Sequence, residues 1–257
     1  MVDKAVSVRK WWIVLRTCAT TLMYSLRAIV GTSFKKPEQR RAYIDRLCRE
    51  WSSQLLRYID LRYTVIGQEN LTLTPGKRYI VMTNHSSHYD IPVSFMAIPG
   101  SMRMLAKKEL YAIPLFGRAM RVAEFLIIDR QNQEQARKDL EKAREKMESG
   151  IMLWVAPEGT RSRSGELMPF KKGGFHLAIN TGATIIPVGI RNIINVLPPD
   201  TTDIHLHQQV EVHIGKPIDA SAYGLDQRQA LVERVRAQIQ ALCGQPSGAD
   251  SGVRLAS

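Results

Sequence analysis

The sequence is poor in cysteine. Cys18, Cys48 and Cys243 are the only three in 257 residues, far apart, odd in number and without a C-x-x-C pair. This pattern argues against a disulfide framework or a structural zinc site, and makes a reducing compartment the expectation. Acidic residues are also in deficit, 24 against 36 Lys and Arg, which leaves a net charge of +12. Such a chain seeks something anionic: nucleic acid, a phospholipid surface or a phosphorylated substrate. Aromatics make up only 7% of the residues and are not interleaved with the basic loops. No helix-turn-helix, RRM or zinc pattern occurs, which counts against nucleic acid. Neither G-x-x-x-x-G-K-[ST] nor G-x-S-x-G is present, so a Walker-type nucleotide loop and a serine nucleophile elbow are excluded.

What is present is an ordinary globular composition, 44% apolar and 23% charged, enough for one α/β domain with an appendage. The charge is concentrated at one end. Residues 1–62 hold 13 Lys and Arg against 5 Asp and Glu, an excess of +8, leaving +4 for the other 195 residues.

The most apolar stretch, Trp11–Val30, is interrupted by Arg16 and Arg27. At 100° per residue, eleven positions return to within about 20° of one direction, so both arginines share a stripe with Arg9, Thr20 and Met23. An interfacial amphipathic helix keeps that stripe wet and buries Trp11, Trp12, Leu15, Leu22, Leu26 and Ile29 in a lipid surface. A tilted span and an internal core helix are the alternatives. Arg16 within the apolar run, and no A-x-A-like site after it, argue against a cleaved signal peptide.

A second helix is predicted from Pro37 to about Asp60, with Ile44, Leu47, Trp51, Leu55 and Tyr58 on one face. Its basic residues, Arg40, Arg41, Arg46, Arg49 and Arg57, suit either an anionic leaflet or a solvated face with Asp45–Arg49 and Arg46–Glu50 pairs.

From Leu61 onward short Val- and Ile-rich runs alternate with helical stretches, which predicts a sheet flanked by helices. The expected strands are Leu61–Ile66, Arg78–Thr83, Met102–Ala106, Glu124–Ile128, Ile151–Ala156, Thr184–Ile190 and Val210–Ile214. The expected helices are Gln131–Ser149, stopped by Gly150, and Gln227–Cys243. The end of the chain from Gly244 is small and polar, an expected frayed tail.

Among six histidines, His205, His207 and His213 share the solvated parity of the last strand, and His176 sits just inside a helix. His85 differs. It follows an apolar strand directly, in Thr83-Asn-His-Ser-Ser-His-Tyr-Asp90, where a turn before a helix can fold the Asp90 carboxylate back onto the imidazole. The opposite ring nitrogen is then free to take a proton from a hydroxyl. A loop histidine beside a helix-capping aspartate has the same spelling, and His88 is a rival base or half of a His85–His88 metal pair. A second constellation, Trp154-Val-Ala-Pro157-Glu-Gly-Thr-Arg161-Ser-Arg163-Ser-Gly165, leads to Lys171, Lys172 and two glycines. It reads as a phosphate cradle or as a solvated basic loop.

Taken together, these segments resemble the glycerolipid acyltransferase family. Asn84-His85-x-x-x-x-Asp90 is similar to the family's first signature block and Pro157-Glu158-Gly159-Thr160-Arg161-Ser162 to its third. Ala106-Lys107-Lys-Glu-Leu, Ile113-Pro114-x-x-Gly117 and Asp129-Arg130 are similar to the second, and Ile185-Ile-Pro187-Val to the fourth. Order and separation agree over residues 60–215; Ala156 stands where the family often has Phe.

The resemblance implies a mixed α/β sheet flanked by helices, with an N-terminal amphipathic helical membrane-docking element; together with the residue pattern this divides the chain into docking helices in 1–60, an acyltransferase domain in 61–243 and, from composition alone, a disordered tail in 244–257. It implies His85 as general base with Asp90 as its orienting partner. Glu158, Gly159, Thr160 and Arg161 would form the acceptor site, with Arg161 on a phosphate, Lys107 and Arg130 assisting, and Pro187 shaping the pocket. The implied reaction moves an acyl chain from acyl-CoA or acyl carrier protein to the free hydroxyl of lysophosphatidic acid, without metal or cofactor. Glycerol 3-phosphate or a lyso-ornithine lipid are alternative acceptors, and a non-catalytic membrane-surface module is the alternative of another class. The expected place is the cytoplasmic face of the inner membrane, on its phospholipid surface.

Overall fold

The computed structural model describes residues 2–106, 108–127 and 133–245. Two long helices come first, α1 (Val2–Ser33) and α2 (Pro37–Tyr58), the second opening on Pro37, whose missing N–H is no loss at a first helical position. Strand β1 (Arg62–Ile66) follows, then β2 (Tyr79–Thr83), α3 (Asp90–Ala97), β3 (Ser101–Ala106), α4 (Phe116–Val122), β4 (Leu126–Ile127), α5 (Gln133–Glu148) and β5 (Ile151–Val155). The chain continues through α6 (Gly173–Thr181), β6 (Thr184–Arg191), β7 (Gln209–Ile214), β8 (Ile218–Asp219) and α7 (Arg228–Leu242).

All the expected strands are present to within a residue or two, except that β4 is only two residues long and Ile128 lies outside the described residues. Short β8 and α4 have no counterpart in the sequence reading; neither is long enough to show a period. Gly150 ends α5 at φ +94°, as expected of a helix stop. Residues 246–257, most of the expected frayed tail, lie outside the described residues.

The sheet runs β1-β7-β6-β2-β5-β3-β4, with β8 on β6. Neighbours are parallel except β6 with β7 and β6 with β8, so the sheet is mixed. Central β2 and β5 are buried along their whole length, as parallel strands covered on both faces must be. Alternation divides their side chains between two cores. Tyr79, Val81, Met152 and Trp154 face a core shared with Ile13, Leu55 and Leu56 of the first two helices and Val93 and Phe95 of α3. Ile80, Met82, Leu153 and Val155 face one built with α5, α6 and α7 through Met147, Phe175, Leu177, Leu231 and Ile239.

Helix α1 is amphipathic, with its apolar face where the sequence suggested apart from half-buried Ile29. Val8, Trp11, Trp12, Leu15, Leu22, Met23, Leu26 and Val30 are exposed and fall within about 120° of one another around the axis. Arg9 and Arg16 are exposed, as the sequence suggested, while Arg16 and Arg27 also reach across to α2. Arg16 lies 4.1 Å over the Tyr58 ring, Arg27 pairs with Glu50 at 3.1 Å, and Thr20, expected to be wet, is buried and bonded to the Tyr58 hydroxyl at 2.7 Å. On α2 the Arg46–Glu50 pair forms at 3.6 Å, whereas Asp45 leaves Arg49 for the fully buried Arg103 of β3 at 2.7 Å. Arg49 donates instead to the Ile98 carbonyl.

Candidate active site

His85 stands two residues past β2 and Pro157 two past β5, so both sequence constellations emerge at the carboxyl ends of adjacent parallel strands. In open α/β sheets that edge is where ligands bind. The two loops are stitched together through backbone. The His85 N–H donates to Glu158 Oε1 at 2.9 Å, and the His85 carbonyl accepts from the Ser162 N–H at 2.7 Å. Asn84 fixes the turn from the other side, accepting from the Ile190 N–H at 2.8 Å and donating to its carbonyl at 3.0 Å.

Asp90 opens α3, and the turn before it does what the sequence left open. One carboxylate oxygen, Oδ2, accepts from the N–H groups of Ser86 and Ser87 at 2.8 and 2.9 Å and lies 2.6 Å from His85 Nδ1. The oxygen that shapes the turn and the histidine's partner are therefore one atom. With Nδ1 committed to the carboxylate as donor, Nε2 carries the lone pair. The Trp154 ring meets the imidazole edge-on, 5.7 Å between centroids. Its indole N–H donates to Ser94 Oγ, which donates to the Asp90 carbonyl, so one packed unit orients both members of the pair.

The imidazole borders a cavity of about 1120 Å³. At one end are His88, Gly159, Thr160, Arg161 and Lys171; beyond them the walls are apolar, with Leu47, Trp51, Phe95, Met104, Met120 and Phe125 reaching back between α1, α2 and α4. Gly159 has φ +73°, a conformation that favours glycine, and the Lys171 side chain packs against it. Burial, Arg161 and His85 together lower the pKa of His88, favouring its neutral form.

Gly159, Thr160 and Arg161 thus meet His85 as expected, while Lys107 and Arg130 lie outside the described residues. Glu158 does not border the cavity. It is buried beneath it, its two oxygens taken by the His85 and Met168 N–H groups. Burial raises its pKa, and those two donors hold it back. Pro187 is also displaced from its expected place, paired in register with Met82 within the sheet, its carbonyl accepting from Gly215. His205, His207 and His213 bond singly to Asn195, Asp60 and Glu211, and among the described residues no cluster could hold a metal ion. Asp200, unmarked by any motif, reaches Arg161 at 3.5 Å and Arg163 at 2.7 Å.

The chain is 34% identical over 184 residues, 70% of its length, to a 1-acyl-sn-glycerol-3-phosphate acyltransferase of Saccharomyces cerevisiae, and 35% identical over 162 residues, 63% of its length, to that of Escherichia coli. The aligned regions span 59% and 65% of those relatives. Its fold is similar to the crystal structure of the 1-acyl-sn-glycerophosphate (LPA) acyltransferase from Thermotoga maritima, with TM-score 0.75 over 94% of this chain and 99% of that one at 23% identity. The family model described as Acyltransferase matches residues 62–191, from the first strand to the end of the sixth and across both stitched loops, and the chain belongs to that acyltransferase family.

Proposed function

We propose that the chain transfers an acyl group from a thioester, carried by coenzyme A or acyl carrier protein, to the free hydroxyl of 1-acylglycerol 3-phosphate, making phosphatidic acid. The observation that carries this reading is the His85–Asp90 pair at the mouth of a cavity that is basic at one end and apolar at the other. His85 Nε2 takes the hydroxyl proton as the oxygen attacks the thioester carbonyl. The tetrahedral intermediate collapses, the C–S bond breaks, and the imidazolium returns the proton to the leaving thiolate. Asp90 holds the ring in the required tautomer and stabilises its charge in between, and no acyl-enzyme or metal is needed.

Arg161 binds the acceptor's phosphate through its guanidinium, with Lys171 beside it. The cavity exceeds the usual range of about 300–1,000 Å³ for small-molecule sites, and its apolar walls suit an acyl chain. The exposed apolar face of α1 docks on a phospholipid surface, which delivers a substrate with one end in lipid; the cytoplasmic face of the inner membrane is the site that fits. The relatives named for this reaction support the acceptor.

The test offers radiolabelled acyl thioester with lysophosphatidic acid, glycerol 3-phosphate and a lyso-ornithine lipid in parallel, to wild type, His85→Ala and Arg161→Ala. Labelled phosphatidic acid is expected from the wild type, with turnover lost in His85→Ala and weakened for phosphorylated acceptors in Arg161→Ala. Equal turnover by His85→Ala would remove the base, and preference for an unphosphorylated acceptor would remove the phosphate site.

A further inference from the structure

The guanidinium assigned above to the acceptor's phosphate already holds a carboxylate. Asp200 Oδ1 lies 3.5 Å from Arg161, and Asp200 Oδ2 lies 2.8 and 2.7 Å from Nε and NH2 of Arg163. Asp200 sits at the tip of a loop that follows Pro198 and Pro199, in a left-handed conformation at φ +61°. The base of that loop is fixed. Ser87, in the turn that holds His85, donates its hydroxyl to the Leu197 carbonyl at 2.9 Å; His205 donates its N–H to the Val196 carbonyl at 2.9 Å; Val196 and Ile204 are buried. Lys10 of α1 pairs with Asp203 on the far side at 2.6 Å. Asp200 projects from the turn between these anchors, its side chain 54% exposed where the Arg161 side chain is 22% exposed.

We infer that Asp200 is an internal competitor for the acceptor's phosphate: it occupies the Arg161–Arg163 pair in the empty site, yields when a phosphomonoester enters, and returns as product leaves. This rests on the reading of Arg161 as the phosphate contact. A phosphomonoester carries about −1.5 to −2 charge and three acceptor oxygens, against one charge and two oxygens for Asp200, so it can win the pair. Displacement still subtracts a fixed amount from its binding, as for any ligand whose competent state is only partly populated. Because the product keeps the same phosphate as the acceptor, the same subtraction loosens the product. An acceptor anchored by its acyl chain tolerates this; inorganic phosphate, with no other contact, does not.

The subtraction is common to every phosphate ligand, which makes the test sharp. Asp200→Asn and Asp200→Ser are assayed beside wild type and Arg161→Ala, with lysophosphatidic acid in mixed micelles and with inorganic phosphate as competitive inhibitor. An exposed ion pair corresponds to about two- to fivefold in an equilibrium constant. Both Asp200 variants are expected to lower the KM for lysophosphatidic acid and the inhibition constant of inorganic phosphate by that same factor, with the acyl donor's KM unmoved. The serine variant guards against an asparagine that keeps the hydrogen bonds. If neither variant tightens either ligand while Arg161→Ala weakens both, the competitor is overturned and the phosphate site stands. If Arg161→Ala leaves both constants unchanged, the phosphate reading falls and the competitor with it.

Discussion

Asp90 Oδ2 lies 2.6 Å from His85 Nδ1 while accepting the N–H groups of Ser86 and Ser87. A single carboxylate oxygen therefore shapes the turn and sets the tautomer of the proposed base. Its other oxygen, Oδ1, is buried without a partner among the described residues, so the carboxylate has been taken from water for the sake of one side. Loss of either residue should act on the chemical step rather than on acceptor binding.

His85→Ala is expected to lower kcat by about 10²–10⁴, the usual contribution of general-base catalysis, with little change in the acceptor KM. Asp90→Asn keeps an oxygen for the turn but removes the charge that stabilises the imidazolium, and should lower kcat over the same range. Steady-state kinetics with saturating donor decide it; a rise in KM at constant kcat in either variant would show a binding role.

Glu158 shows where the family resemblance and the geometry part company. The motif places it in the acceptor site, yet its oxygens hold the N–H groups of His85 and Met168 beneath the cavity floor. Glu158→Gln turns one acceptor into an NH₂ group facing an N–H donor, an arrangement costing about 1–3 kcal/mol. We expect a lower melting temperature together with a lower kcat, and an unchanged ratio of activity on phosphorylated and unphosphorylated acceptors. A selective loss on the phosphorylated one would restore Glu158 to the acceptor site.

Much of this was legible because the sheet writes itself in local pattern. β2 and β5 are almost wholly apolar runs, and within three residues each gives way to the polar residues that its carboxyl end presents. The five-residue separation of His85 and Asp90 was ambiguous between cap and catalytic pair, since both descriptions need the same turn. Other relationships leave no local trace. Asp200 lies 37 residues beyond Arg163 in an unremarkable loop, and Asp45 has a sequence neighbour, Arg49, of the right charge and spacing that it does not use. For α1 the helical period located the arginines correctly, but period alone cannot say that the phenol of Tyr58 and the carboxylate of Glu50 await them.

Glu124 joins three elements and predicts an acid-sensitive tie. Burial alone would raise its pKa, but hydrogen bonds and charge from Arg41 of α2 and Lys146 of α5 bring it from 4.5 down to about 2. A carboxylate depressed in the folded state adds stability that is full above its unfolded pKa and is lost as pH falls through the folded one. The contribution should therefore be intact at pH 7 and fade between about 4.5 and 2. Glu124→Gln should cost about 1–2 kcal/mol at neutral pH, after allowance for solvent at a partly exposed site, and should flatten the stability profile across that acid window. Urea unfolding at pH 7 and pH 3 measures both; equal losses at the two values would show that the ion pairs contribute nothing.

Arg103 is fully buried, with its Nε bonded to the Ala123 carbonyl at 2.5 Å and its NH1 to Asp45 at 2.7 Å. A guanidinium in that position is tolerable only while its partner stays. Asp45→Leu leaves the charge stranded between α2 and β3 and should cost about 3–5 kcal/mol, whereas Asp45→Leu with Arg103→Met replaces the pair by apolar volume and should recover most of it. Denaturant midpoints of the two variants settle the matter, and a double variant no more stable than the single would refute the pair.

The exposed face of α1 makes the last prediction, and Leu15 and Leu22 are its best probes. Seven positions apart, they point in nearly the same direction, within about 20°, and both are largely exposed, so charging them should leave the fold intact. If that face docks on lipid, each leucine contributes about 1.5–3 kcal/mol of apolar burial, and Leu15→Glu with Leu22→Glu removes both while adding charge that an anionic leaflet repels. Co-sedimentation with phosphatidylglycerol vesicles should fall by about tenfold or more, while turnover of a short-chain, monomeric acceptor persists, because neither residue borders the cavity. Arg16 and Arg27 supply the internal contrast. They are held by Tyr58 and Glu50 at the seam with α2, so Arg16→Gln should weaken vesicle binding far less than the leucine pair. Undiminished sedimentation of the leucine variant would reject the docking face, and equal losses from both variants would shift the attraction from burial to charge.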